Sequence, residues 1–137
     1  MTHPTGFEVR LKEPFDAAVD RTRDALKAEG FGILTEIDLK AAFREKLGRE
    51  FRPYIILGAC NPPLAFSAVT ADPSVGLLLP CNVTVEAAAD GNGTTVRLTD
   101  PEAMLAGHQT GAEVRKVAED ARARILRVRK TLAGTAD

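Results

Sequence analysis

Tryptophan is absent from this 137-residue sequence, tyrosine occurs once, at Tyr54, and cysteine and histidine occur twice each. Two cysteines, Cys60 and Cys81, are too few for the disulfide framework of a small secreted domain. Residues 1–6 carry neither the basic start nor the apolar stretch of a secretory signal, so free thiols and a cytoplasmic location are expected. No apolar run approaches the roughly 20 residues that cross a bilayer, which speaks against a membrane partner. A basic excess is also missing: 18 Lys and Arg stand against 19 Asp and Glu, a net charge of −1. A protein that grips a phosphate backbone needs a cation for each phosphate it neutralises, so a nucleic-acid partner is not expected either. There is no C-x-x-C pair, no phosphate-cradling glycine loop and no Ser-centred nucleophile elbow, and no motif names a cofactor.

What is present is an ordinary globular composition, 45% hydrophobic and 27% charged, in a chain near the commonest domain size. We therefore expect one domain over residues 1–137, frayed at about 1–5 and 134–137. Phe7, Val9 and Leu11 alternate with Glu8, Arg10 and Lys12, the period of a half-buried strand. Pro14 opens and Gly30 closes a helix whose stripe is Phe15, Ala18, Val19, Thr22, Ala25 and Leu26. Residues 32–37 read as a second strand, and Asp38 caps a short helix that Gly48 ends.

The run from Tyr54 to Cys60 is apolar on both faces, which places it centrally in a sheet or against a second subunit. Asn61 and Pro62 start a short helix reaching about Val69. Residues 81–86 alternate again, Asp90-Gly91-Asn92-Gly93 is a hairpin signal, and residues 94–99 return. Thr110 and Glu113 have the capping-box spacing ahead of a long helix whose stripe includes Val114, Ala121, Ile125, Val128 and Leu132. Two amphipathic helices over one face of a mainly antiparallel sheet, with short extra helices, make a two-layer α+β arrangement.

The segments Tyr54-Ile55-Ile56-Leu57-Gly58-Ala59-Cys60-Asn61-Pro62 and Gly76-Leu77-Leu78-Leu79-Pro80-Cys81-Asn82-Val83 resemble the signature of the bacterial and archaeal "domain of unknown function 302" family. Residues 31–38 and the Thr99-Asp100-Pro101 turn are similar to it as well, so the resemblance covers roughly residues 7–107, most of the chain. It implies a strand-helix-four-strand-helix fold of the kind also seen in TATA-binding protein, and it makes a homodimer plausible. It implies no activity, and a shared architecture does not carry a function over.

The residues that carry candidate chemistry are Cys60 and Cys81. Cys60 ends a strand just before a helix start, where a dipole and unpaired N–H groups favour a thiolate. If the strand ending at Cys60 pairs with the one starting at Cys81, a displaced register brings the thiols together. They would then hold a small ligand, a sulfur species or a soft metal, with Asn61 and Tyr54 as polar neighbours. The plainer account is that both are small buried hydrophobes. His108 would be a third metal ligand, though three ligands fall short of a closed structural site.

Three functions follow: a binding module at the Cys60/Cys81 site, a thiol enzyme with Cys60 as nucleophile, or a structural homodimer. Asn61 is equally explained as a helix cap. Asn82, Thr84 and Glu86 face away from Cys81 in a regular strand. Glu36 and Asp38 share a strand face and form a carboxylate pair, against which Asp38 also serves as a cap. The basic residues of the last helix read as a solvated face.

Overall fold

The computed structural model describes residues 2–3, 5–106 and 111–134. Strands β1 (Thr2–His3) and β2 (Gly6–Leu11) precede helix α1 (Phe15–Ala28), strand β3 (Gly32–Asp38) and helix α2 (Leu39–Leu47). Strand β4 (Tyr54–Cys60), helix α3 (Pro62–Ala71) and a 3-10 segment (Pro73–Leu78) follow. Strands β5 (Cys81–Ala87) and β6 (Thr94–Thr99), helix α4 (Pro101–Leu105) and helix α5 (Ala112–Ala133) complete the order. The strands form one antiparallel sheet ordered β1-β2-β6-β5-β4-β3. The sequence β2-α1-β3-β4-β5-β6-α5 is therefore strand-helix-four-strand-helix, an α+β fold with both long helices on one sheet face.

Period-two alternation determines which side chains meet those helices. Phe7, Val9 and Leu11 of β2, Val96 and Leu98 of β6, Val83 and Val85 of β5, and Leu57 and Ala59 of β4 are all buried there. Helix α1 contributes Ala18, Val19, Ala25 and Leu26, and α5 contributes Ile125, Val128 and Leu132. Each fully buried Leu, Ile or Val stabilises the fold by roughly 1.5–3 kcal/mol of transfer free energy. Thr22, the polar member of the α1 stripe, is fully buried, and its hydroxyl donates to the Ala18 carbonyl at 2.7 Å. Gly30, at φ +85°, turns the chain out of α1 so that the Phe31 amide donates to the Leu26 carbonyl.

Strand β4, apolar on both faces, is not at the centre of the sheet but next to the edge strand β3. Its outward face is sheltered by aromatics. The Phe51 ring lies 6.2 Å from Tyr54 and 5.5 Å from Phe43 of α2. Helix α3 runs two residues beyond the expected Val69, since Asp72 accepts from Ser74 and caps the 3-10 segment that follows. Asp100 likewise caps α4, accepting from Glu102 and Ala103. Thr110, the first half of the expected capping box, lies outside the described residues.

Candidate functional site

The pairing of β4 with β5 places Ala59 opposite Cys81, so Cys60 stands one position out of register with its fellow cysteine. Both thiols are free and half-buried, and both line a cavity of about 70 Å³. The cavity lies where the main core, at Phe31 and Ala59, meets a smaller cluster of Ala68, Val75 and Val114. Helices α3, α4 and α5 and the 3-10 segment wall it, with Leu64, Leu79 and Leu105 among the lining. Met104, 36% exposed, also belongs to its lining. Asn61 is nearly the only polar group besides the sulfurs.

Electrostatics turns both thiols away from ionisation. Burial pushes Cys60 above its ordinary value. Burial and, secondarily, the charge of Cys60 push Cys81 up to about 11. Desolvation disfavours a thiolate, so both are neutral thiols at neutral pH.

The helix start that was expected to activate Cys60 has no donors to offer. Pro62 and Pro63 lack N–H groups, and the Leu64 N–H donates to Asn61 Oδ1 at 3.2 Å. The Asn61 amide nitrogen in turn donates to the Glu29 carbonyl at 3.5 Å, joining α3 to the end of α1. Asn61 is 8% exposed with both ends of its amide engaged, so its place in the cavity wall is that of a cap. The Pro-Pro pair was visible in the sequence and was the signal against a dipole-activated cysteine.

Tyr54 does not join the thiols. It begins the strand that Cys60 ends, and it faces a different hollow on the far side of the sheet, with Asn82, Thr84 and Arg97. Among the described residues no group of three His, Cys, Asp or Glu side chains converges for a metal ion. His108 lies outside those residues. Glu36 meets Arg23, and Asp38 accepts from the Ala41 amide at 3.0 Å as the cap of α2. The expected carboxylate pair is thus divided between an ion pair and a cap. On α5, Arg122 pairs with Asp100 and Glu102, Arg124 with Asp120, and Arg127 with Glu29.

One cluster has no signature in the sequence. Glu86 is 5% exposed on the outer sheet face and accepts from Arg97 Nη1 and from Arg52 Nε, each at 2.5 Å. Arg97 Nε also donates to Glu8 at 3.0 Å. Strand alternation told that Glu86 faces outward. That it is buried there depends on residues brought in from the loop before β4 and from β6.

No helix among the described residues is long and apolar enough to cross a membrane. The sequence matches the family described as "Domain of unknown function DUF302" over residues 7–132. A solved structure, described as the crystal structure of uncharacterized conserved protein DUF302 from Bacillus stearothermophilus, is similar at 28% identity with a TM-score of 0.78. That likeness covers 90% of this chain and 94% of the other. No curated protein matches.

Proposed function

The chain belongs to the DUF302 family, and on that footing we propose that it is a small binding module whose cavity beside Cys60 and Cys81 receives a compact, uncharged guest. The observation that carries this reading is an apolar cavity of about 70 Å³ with two neutral thiols in its wall. A space that small admits a few heavy atoms. Walls of Leu, Val, Ala and Pro reward burial of apolar surface and give a charged group nothing to replace its hydration. Thiols add polarizable contacts suited to a sulfur-bearing guest. A soft metal fits less well, since it needs thiolates and both cysteines favour the protonated form.

Dimethyl sulfide is a suitable probe, with ethanol as the polar control. We expect dimethyl sulfide to shift the methyl resonances of Val114, Val117 and Leu105 saturably, leaving Val9 and Val96 unmoved. Ala65→Leu places added carbons in the cavity, so it should abolish the response and leave the unfolding temperature equal or higher. If wild type shows no saturable shift, or if Ala65→Leu responds as wild type does, the reading fails.

The edge of the sheet favours a second reading, that the module works as a homodimer. Strand β3 is an outer strand exposed along nearly its whole length, with Leu34 at 65% and Ile37 at 47% exposure. Of the devices that discourage pairing at the edges of monomers, β3 lacks Lys and Pro; it does carry Glu36, turned inward to Arg23, and a register irregularity between Ile33 and Thr35. The opposite edge, β1, is two residues long and offers little for head-to-tail growth. A closed antiparallel β3–β3 pair suits this arrangement, since Glu36 and Asp38 then face the partner's uncharged first half.

A further inference from the structure

Opposite the helices, the sheet carries a hollow of about 350 Å³ over β5, β6 and β2, with Tyr54 at its border. That volume lies in the roughly 300–1,000 Å³ range of small-molecule sites. Asn82 and Thr99 line it with neutral hydrogen-bonding groups, and Gly6 lies against the Leu98 carbonyl, where a Cβ would collide. Arg97 is its one charged lining residue. Glu8 and Glu86 lie on the other side of Arg97, in an adjoining hollow with Arg10, Arg52 and Asp90.

Arg97 is held before any ligand arrives. Its Nε donates to Glu8 at 3.0 Å and its Nη1 to Glu86 at 2.5 Å, while Arg52 anchors Glu86 from behind. These bonds use part of a guanidinium fork and leave further N–H donors on Arg97. Tyr54 lines the same hollow and brings a phenol hydroxyl to its border. The Thr84 hydroxyl is buried with no hydrogen-bond partner, although Thr84 lines the hollow. A buried hydroxyl left unpaired costs stability, and this one is closed off from the hollow, so it takes no direct part in binding.

We propose that this hollow binds a small carboxylic acid as its carboxylate, received by the free donors of Arg97 and by the Tyr54 hydroxyl, with its body over Gly6 and Thr99. A planar carboxylate matches the guanidinium fork. A dianion suits the hollow less, because it would meet one cation already shared with two carboxylates. The site is separate from the thiol cavity and stands or falls without it.

The test is a solution NMR titration of the full chain at neutral pH and constant ionic strength, with benzoate as probe and benzamide as its uncharged isostere. Arg97 itself is a poor target, because its loss would leave Glu86 buried with half its support. Benzoate should shift the Arg97 Nε–H and the Asn82 side-chain amide saturably, and benzamide should bind about tenfold more weakly or less. Tyr54→Phe keeps the ring against Phe51 and should lose about tenfold in affinity with the unfolding temperature unchanged. Thr84→Val preserves shape, removes the unpaired hydroxyl and should keep both the fold and the affinity. A titration that does not saturate, an equal response to the amide, or wild-type affinity in Tyr54→Phe overturns the proposal.

Discussion

A carboxylate only 5% exposed persists on the outer sheet face because two guanidinium groups reach it. Burial by itself raises the Glu86 pKa, but hydrogen bonds from Arg97 and Arg52, and then their charges, outweigh it and hold Glu86 below its ordinary value of 4.5. A carboxyl group held low in the folded state stabilises it above the ordinary value and loses that contribution as pH falls through the lowered one. Glu86→Gln should therefore cost about 2 kcal/mol at neutral pH and flatten the fall in stability below about pH 4.5. Urea denaturation across the acid range measures both, and an unchanged acid limb would show that Glu86 has no such role.

The thiols behave oppositely, since burial favours their neutral form. Cys81 is raised from 9.0 to about 11, so its contribution is complete below pH 9 and is lost as pH climbs from about 9 to 11. Cys81→Ala should lose that part of the alkaline decline. In iodoacetamide labelling followed by mass spectrometry, both cysteines should react more slowly than a free thiol at pH 8, with Cys60 ahead of the more deeply buried Cys81. Faster labelling of either would revive the thiol-enzyme reading.

At the scale of elements, α3 shows how one side chain can decide two junctions. Asn61 caps the helix through Leu64 and ties it to the end of α1 through Glu29. Gly30 belongs to the same joint, because a Cβ there would approach the Asn61 amide nitrogen to 2.8 Å. Asn61→Ala should lose roughly 1–2 kcal/mol, whereas Asn61→Asp keeps the acceptor and should lose less. Thermal unfolding of the two variants separates cap from tie; equal losses would place the weight on the Glu29 contact.

Caps of this kind were legible in the sequence, as Asp38 and Asn61 demonstrate, because they depend on residues a few positions apart. The 3-10 segment after Asp72 and the short α4 were not read as elements, since each is a turn or two that tertiary packing stabilises. The same locality accounts for Cys60: an Asn-Pro start alone resembles a dipole end, but the second proline, Pro63, removes a further donor from it.

For the molecule as a whole, the exposed edge of β3 sets the expectation of assembly. Light scattering coupled to size exclusion should give twice the chain mass for wild type. Ile37→Lys should give a monomer with the same far-UV circular dichroism, because it places a charge on the pairing edge. A monomeric wild type rejects the β3–β3 pair. The sheet order also explains why one chain holds a hollow on each face. Each strand sends alternate residues to the helix side and the open side, so Cys81 enters the closed apolar cavity while Asn82 and Thr84 border the open hollow.

By itself the sequence determined the order of strands and long helices, the apolar stripe of each, the hairpin at residues 90–93 and the caps at Asp38 and Asn61. These depend on periodicity and on hydrogen bonds between residues close in the chain. Only the tertiary structure decided that Cys60 and Cys81 share a cavity, that Tyr54 belongs to another, and that Glu86 is buried between two arginines. Those facts follow from strand register and from which loop folds over which face. Both are chosen by the free energy of the whole packed core, and no local run of residues records them.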